Sequence, residues 1–188
     1  MEGMSPQRQV WFSSDSHLFH RNIIKYCNRP FLSVEEMNTA LVDNWNSVVG
    51  EKDIVYYLGD LGMADTNSIM SLLNKLKGSE IHFVRGNHDK KHGREIKDFF
   101  SSYSDYKEIE VEGQHIVLSH YPFLTWNKAF YGSYMLHGHC HGTLPKDMNS
   151  YRIDVGVDCW NYFPVSFQQI KQEMSTRKNI PPDQGKDL

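Results

Sequence analysis

The sequence predicts an α/β fold in which strands and helices build mixed sheets. Its first half alternates short apolar runs, typical of buried strands, with longer stretches whose apolar residues recur at helical spacing. Its second half is mainly short strand-like runs and one hairpin pattern. Alternating strand and helix favours parallel pairing and hairpins give antiparallel pairing, so the combination indicates mixed sheets. The 188 residues suit one domain, which we place at residues 9–174, with flexible tails expected at residues 1–8 and 175–188.

Strand and helix alternate three times in the first half. The predicted strands span residues 9–14, 53–58 and 80–84. The predicted helices span residues 33–49, 66–76 and 91–100. Ser33 can cap the first helix, and Glu36 completes a capping box. Asp65 or Thr66 can cap the second helix, which we expect Gly78 to end.

The second half is predicted to be mainly strand. Residues 106–111 and 114–119 flank the pair Glu112-Gly113, which predicts a two-residue hairpin. The remaining predicted elements are strands at residues 133–136 and 151–155 and a helix at residues 165–173. No repeat or linker interrupts the pattern, which agrees with a single domain.

Polar residues of a few types follow five of these strands, each at its carboxyl end. Ligands of open α/β sheets bind at the carboxyl ends of strands, so we expect these residues to converge on one site. Gly59, Gly86 and Gly138 precede motif residues at points where the backbone must turn sharply or approach another group closely. The five segments are Asp15-Ser16-His17, Gly59-Asp60, Gly86-Asn87-His88-Asp89, Ser119-His120 and His137-Gly138-His139-Cys140-His141.

The chemistry of these side chains indicates a metal site. Carboxylates, imidazoles and an amide oxygen without a thiolate pattern favour manganese, iron, zinc or similar divalent ions over calcium or a structural zinc. The segments offer more ligands than one ion needs, and a pair of ions bridged by a carboxylate would use them all. Paired ions are a recurrent device for displacement at phosphorus, because one face activates water as hydroxide and the other neutralises charge on the phosphoryl oxygens.

Five motifs occur in order from Asp15 to His141, namely D-x-H, G-D, G-N-H-D, a lone H and G-H-x-H. This ordered set resembles the calcineurin-like metallophosphoesterase superfamily. The resemblance covers most of the chain, and the full ordered set is specific. It implies two mixed β-sheets sandwiched between helices, a four-layer α/β/β/α arrangement. The stretch from Phe12 to Phe31 also resembles a compact bacterial and phage branch of that superfamily.

The resemblance implies a role for each motif residue. The first metal would be held by Asp15, His17, Asp60 and His141. The second metal would be held by Asp60, Asn87, His120 and His139, so that Asp60 bridges the two ions. His88 would face the substrate as general acid or transition-state stabiliser, and Asp89 would orient it by accepting its other ring N–H. We expect two divalent transition-metal ions, manganese first, with iron, zinc or nickel as alternatives.

Composition limits the partners and the compartment. The net charge of −3 argues mildly against a protein that grips many nucleic-acid phosphates. The three cysteines form no C-x-x-C pair and no secretory framework, which favours a reducing compartment. No apolar stretch approaches the length of a membrane span. We therefore expect a cytoplasmic protein without a membrane partner.

The combined prediction is metal-dependent hydrolysis of phosphate esters through a dinuclear site with metal-activated hydroxide. A phosphodiesterase or phosphomonoesterase acting on a small, nucleotide-like substrate is the leading hypothesis. The alternatives are a nuclease acting on nucleic-acid ends, a phosphoprotein phosphatase and, from another class, a non-catalytic binding module. The sequence does not identify the substrate or the oligomeric state.

Several residues near the motifs allow two interpretations. His20 could approach the substrate or simply begin a surface helix. Arg29 and Trp126 could contact a base or a sugar, or could be ordinary core or rim residues. The basic run Lys90–Lys97 could attract a polyanion, although an ordinary solvated helix face is favoured slightly.

Overall fold

The computed structural model describes residues 8–91 and 93–182, and all structural statements below refer to these residues. Nine strands and five α-helices occur in this part of the chain. The strands are β1 (Val10–Ser13), β2 (Ile54–Tyr57), β3 (Glu80–Val84), β4 (Ser102–Ser104), β5 (Lys107–Val111), β6 (Gln114–Leu118), β7 (Tyr134–His137), β8 (Arg152–Asp154) and β9 (Val165–Ser166). The α-helices are α1 (Arg21–Tyr26), α2 (Val34–Val48), α3 (Thr66–Leu73), α4 (Arg94–Phe99) and α5 (Phe167–Ser175).

The strands form two mixed sheets. The first has the order β4-β3-β2-β1-β9, and only β9 runs antiparallel to its neighbour. The second has the order β5-β6-β7-β8, and only the β5–β6 hairpin is antiparallel. A parallel bridge between Ser14 and Gly156 joins the chain just beyond β1 to the chain just beyond β8. The carboxyl ends of the parallel strands of both sheets therefore meet at one edge.

Alternating side chains place the two faces of the first sheet in different cores. Phe12 and Leu58 share a buried cluster with Ile116 and Leu136 of the second sheet, and α5 packs into the same cluster. The opposite face of the first sheet packs against α1 to α4. This period-two alternation is the behaviour expected of a sheet buried on both faces. The predicted class, an α/β fold of two mixed β-sheets with helices, is confirmed.

The helices are distributed unevenly around the sheets. Four of the five described α-helices pack against the outer face of the first sheet, whereas α5 packs into the core that the two sheets share. In the described chain, the connection from β6 to β7 contains only a 3-10 turn at Ala129–Tyr131, and the connection from β7 to β8 contains no helix. Irregular segments thus make up these two connections of the second sheet.

Several predicted boundaries are wrong for local reasons. The helix predicted to reach residue 76 ends at Leu73, and Gly78 lies beyond it with φ +130° in the turn before β3. The helix predicted from residue 91 begins at Arg94, because Asp89–Lys91 forms a 3-10 turn. The side chain of Ser33 caps α2 as predicted.

Glu36 does not complete the predicted capping box. Its carboxylate accepts the N–H of Leu32, at 2.7 Å, instead of that of Ser33. The segment predicted as a helix at residues 165–173 begins instead as strand β9, which pairs with β1. The helix α5 starts only at Phe167. The hairpin is confirmed, since Glu112 and Gly113 both have positive φ, as a two-residue turn requires.

Hydrogen bonds continue past the predicted end of the domain at residue 174. The N–H of Lys178 donates to the carbonyl of Met148, and the N–H of Ile180 donates to that of Asn149, both at 2.8 Å. Residues 1–7 and 183–188 lie outside the described chain, so the domain boundaries and tails stay a prediction. Among the described helices, none combines the length and the apolar character needed to span a membrane.

Candidate active site

All seven predicted metal ligands lie in loops at the shared carboxyl edge of the two sheets. Asp15 and His17 follow β1, Asp60 follows β2, Asn87 follows β3, His120 follows β6, and His139 and His141 follow β7. Five of the seven have left-handed backbone, with φ between 48° and 71°. Residues other than glycine adopt this conformation rarely, and such strain clusters at functional sites. Backbone hydrogen bonds between loops stabilise this conformation. The N–H of Asp15 donates to the Gly59 carbonyl at 2.9 Å, and the N–H of His17 donates to the Asp60 carbonyl at 3.0 Å.

The first ligand group consists of Asp15, His17 and His141, whose donor atoms all lie within 4.8 Å of one another. Two buried atoms in this group have no hydrogen-bond partner, the Oδ1 of Asp15 and the Nε2 of His17. Burial raises the pKa of Asp15 to about 7, although the neighbouring His120 and His141 lower it. Buried polar atoms are normally paired. Two unpaired ligand atoms facing the same space therefore fit a cation.

The second ligand group consists of Asp60, His120 and His139, again with donor atoms within 4.8 Å of one another. The amide oxygen of Asn87 lies 3.0 Å from the Nε2 of His120 and 3.0 Å from the Nδ1 of His139. The four residues assigned to the second metal thus surround one small volume.

Asp60 lies between the two groups. Its Oδ2 is 3.4 Å from the Nε2 of His120 and 3.6 Å from the Nε2 of His17. Its Oδ1 accepts the backbone N–H of His88 at 2.9 Å, which fixes the carboxylate plane. Burial raises the pKa of Asp60, but the His120 hydrogen bond and the charges around it outweigh burial and lower the pKa to about 2. One ionised carboxylate therefore faces both ligand groups.

Two histidines are held by their Nδ1 atoms. The Nδ1 of His120 lies 2.7 Å from the carbonyl oxygen of Leu58, which can only accept, so Nδ1 carries the proton. The Nδ1 of His141 lies 2.7 Å from a carboxylate oxygen of Asp158, which was not predicted. In both rings Nε2 is left as the nitrogen that can bind a metal. Such outer contacts fix the tautomer and the ring orientation.

Comparison with known proteins decides the family. Residues 9–155 match the model of the calcineurin-like phosphoesterase superfamily domain. The chain belongs to the calcineurin-like phosphoesterase superfamily. It is therefore a metal-dependent hydrolase of phosphate esters, and the predicted resemblance is confirmed.

Three known proteins align with this phosphoesterase over most of their own length. An uncharacterised protein of Methanocaldococcus jannaschii is 42% identical over 170 residues, covering 87% of this chain and 89% of the relative. The gene 66 protein of a Mycobacterium phage is 28% identical and covers 80% of this chain and 87% of the relative. A crystal structure of an Aquifex aeolicus protein of unknown function aligns with a TM-score of 0.72 and 28% identity, covering 89% of this chain and all of that chain.

His88 and Asp89 differ in their surroundings. The His88 side chain is 39% exposed and its Nε2 lies 3.9 Å from the Oδ2 of Asp60, so the ring stands at the mouth of the site. Asp89 is fully buried, and its two oxygens accept the N–H groups of Gly86, Asp60 and Leu61 at 2.7, 2.7 and 3.0 Å. These bonds hold the Asp60 loop and the Gly86 loop together. That Asp89 also orients the His88 ring stays a prediction.

Two glycines are needed because of close approach. A Cβ at Gly86 would collide with the Oδ1 and backbone N of Asp60. A Cβ at Gly138 would collide with the side chains of Ser14 and Asp15. The family motifs G-N-H-D and G-H-x-H therefore require their first glycine so that the ligand loops can pack together.

His20 lies closer to the site than its sequence position indicates. Its Nδ1 is 3.5 Å from the Nδ1 of His17, and its ring centre is 6.4 Å from that of His88. Burial, the charge of His88 and that of Arg29 lower the pKa of His20, although Asp60 opposes them. His20 also occupies the N-cap position of α1, without a side-chain capping hydrogen bond, so its position agrees with either interpretation.

Other undecided residues are explained by local contacts. The Trp126 indole donates to the Ser133 backbone and hydroxyl. In the basic run, Arg94 pairs with Asp98, and the Lys97 ammonium lies over the Tyr103 ring. These contacts favour a structural role for Trp126 and an ordinary helix face for the described part of the run.

Proposed function

We propose that this phosphoesterase works with two divalent transition-metal ions, manganese first, held side by side at the carboxyl edge. The observation that carries the proposal is the position of Asp60 between two separate ligand groups, with its Oδ2 within 3.6 Å of ring nitrogens from both. The unpaired buried atoms of Asp15 and His17 support it, since they supply ligand atoms that the protein itself leaves unsatisfied. When bound, the ions would supply an activated water and neutralise charge on the phosphoryl oxygens.

The protein side chains would divide the remaining tasks. Asp15, His17, Asp60 and His141 would hold one ion. Asp60, Asn87, His120 and His139 would hold the other. His88 would act as general acid toward the leaving oxygen, because its ring is exposed at the mouth of the site and its backbone N–H donates to the bridging carboxylate. Asp89 would keep that loop in place through its three backbone hydrogen bonds.

The segments beside the site favour a small substrate. The connections beside the second sheet are irregular and form no helical cap over the described site. The Tyr121 side chain is exposed, and its ring centre lies 4.8 Å from that of His139, so it offers an aromatic face at the rim. Aromatic faces stack nucleobases, which favours a nucleotide-like phosphodiester or phosphomonoester. The three free cysteines support a reducing, cytoplasmic compartment.

Two measurements test this proposal. Metal analysis of protein saturated with Mn²⁺ should give two ions per chain, and a single ion would contradict the dinuclear site. Hydrolysis with Mn²⁺ should then be compared on p-nitrophenyl phosphate, its bis ester, cyclic nucleotides, a phosphopeptide and labelled DNA and RNA. Turnover restricted to nucleic acid or to the phosphopeptide would replace the small-molecule assignment with a nuclease or a phosphoprotein phosphatase. Binding without turnover of any of them would indicate a non-catalytic module.

A further inference from the structure

Arg29, in the loop between α1 and α2, is an arginine with no role in the mechanism above. Its side chain is fully buried. It donates from Nε and Nη2 to the two carboxylate oxygens of Asp158, at 2.8 and 2.7 Å. It also donates to the backbone carbonyls of Asp15 and Ser16, at 2.7 and 2.8 Å. These bonds use the fork geometry that distinguishes arginine from lysine.

Asp158 connects this guanidinium to the predicted metal ligands. Its Oδ2 accepts from Arg29 and lies 2.7 Å from the Nδ1 of His141. A carboxylate that already accepts two guanidinium bonds can only accept from the imidazole, so the Nδ1 of His141 is the donor. The His141 ring is thereby fixed with Nε2 toward Asp15 and His17.

The same guanidinium holds the loop that carries the other two ligands. The carbonyls of Asp15 and Ser16 belong to the segment in which Asp15 and His17 have left-handed backbone, with φ of 59° and 49°. A single side chain therefore contacts both halves of the first ligand group, the β1 loop directly and His141 through Asp158.

We infer that Arg29 and Asp158 are positioning residues of the first metal site, which set the His141 ring and the β1 loop for one of the two ions. The inference rests on the proposed two-ion site. Histidine ligands commonly donate their second N–H to a carboxylate, and loss of that partner typically costs about 10–100-fold in metal affinity or activity. In the second ligand group, by contrast, His120 is held by the Leu58 carbonyl.

Asp158 could alternatively be a ligand itself, since Cys27, His141 and Asp158 also lie within 4.8 Å of one another. An ion there would sit beside the Arg29 guanidinium, which already engages both Asp158 oxygens. Like charges at that separation repel strongly in a buried setting. The contacts therefore favour positioning over ligation.

The test uses Mn²⁺ titration of the metal-free full chain by calorimetry, with Arg29→Lys, Asp158→Asn and the control Arg177→Lys. Arg177 is matched in burial, at 4% side-chain exposure, and it donates to Glu173 and to the Arg152 carbonyl instead of to the metal loops. We expect both test variants to bind one Mn²⁺ about 10–100-fold more weakly and the other with parental affinity. The control should bind both ions as the parent does.

The outcomes separate this inference from the two-ion proposal. A parent that binds a single Mn²⁺ contradicts the two-ion site, and the inference then requires Asp158→Asn to weaken that single ion. A parent that binds two ions while Asp158→Asn binds both within twofold of it overturns only the positioning role. Equal weakening of both ions in Asp158→Asn also overturns it, as does the same loss in Arg177→Lys. Asp158→Asn preserves size, so it decides the question even if Arg29→Lys fails to fold.

Discussion

Asp60→Ala should weaken both metal ions together, because one carboxylate faces both ligand groups. Its Oδ2 lies 3.4 Å from the Nε2 of His120 and 3.6 Å from that of His17. Loss of an outer partner of a ligand costs about 10–100-fold in metal affinity, so loss of the ligand itself should cost at least about 100-fold at each ion. The metal-free protein should also lose about 1–3 kcal/mol of unfolding free energy, because the His88 N–H loses its acceptor.

The assay is Mn²⁺ titration followed by metal analysis, with urea unfolding of the metal-free protein beside it. Asp15→Ala and His120→Ala serve as matched controls, since each belongs to one ligand group and should weaken mainly one ion. Parental stoichiometry in the Asp60 variant would refute the bridging role. Loss of one ion only would refute it as well, and would assign Asp60 to a single site.

Three further predictions concern other parts of the molecule. His88→Ala should keep both ions and lose about 10²–10⁴-fold in kcat on alkyl phosphate esters. The loss should be smaller on nitrophenyl esters, because their leaving group needs no proton. Equal losses on both esters, measured by steady-state kinetics, would exclude a general acid. Gly86→Ala should lose Mn²⁺ binding because its new Cβ would collide with Asp60. Gly93→Ala is the control and should keep Mn²⁺ binding, because its Cβ would make only ordinary contact. Calorimetric Mn²⁺ titration distinguishes the two variants. Asp53→Asn should lower the unfolding free energy at pH 7 by about 1–3 kcal/mol, because the carboxylate accepts two backbone N–H groups and an indole N–H. Burial raises the pKa of Asp53, but those bonds lower it below 3.8 overall, so its contribution is full above about pH 4 and is lost as pH falls through the folded pKa. Unfolding from pH 7 to 3 should therefore show a shallower acid slope in the variant, and parallel slopes would contradict this.

The positions of the ligand segments could be predicted because strand direction constrains them. Once β1, β2 and β3 are parallel in one sheet, and β6 and β7 in the other, the residues that follow them share one edge. The polar types at those strand ends then identify the chemistry. Strands β4 and β9 could not be predicted, since Ser102–Ser104 and Val165–Ser166 are short and contain no apolar run. Their pairing depends on neighbours that are distant in sequence.

The outer contacts of the site could not be predicted for a related reason. Arg29 and Asp158 are separated by 129 positions, and a lone arginine or aspartate has no pattern that indicates a partner. Asp89 also makes contacts that its motif does not indicate. Its place beside His88 in the motif favoured a side-chain contact, whereas the 3-10 turn that begins at Asp89 directs its carboxylate toward backbone N–H groups.

The backbone of the ligands explains why fold and site depend on each other. Left-handed backbone costs about 1–2 kcal/mol for an ordinary residue, so the five left-handed ligands together cost about 5–10 kcal/mol, which is comparable with the net stability of a domain. Aspartate and histidine tolerate this conformation better than most residues, which reduces the cost without removing it. The two packed cores must supply the remainder in the metal-free chain. Metal binding adds to folding free energy, so variants that lose an ion should lose stability that their missing side-chain contacts alone do not explain.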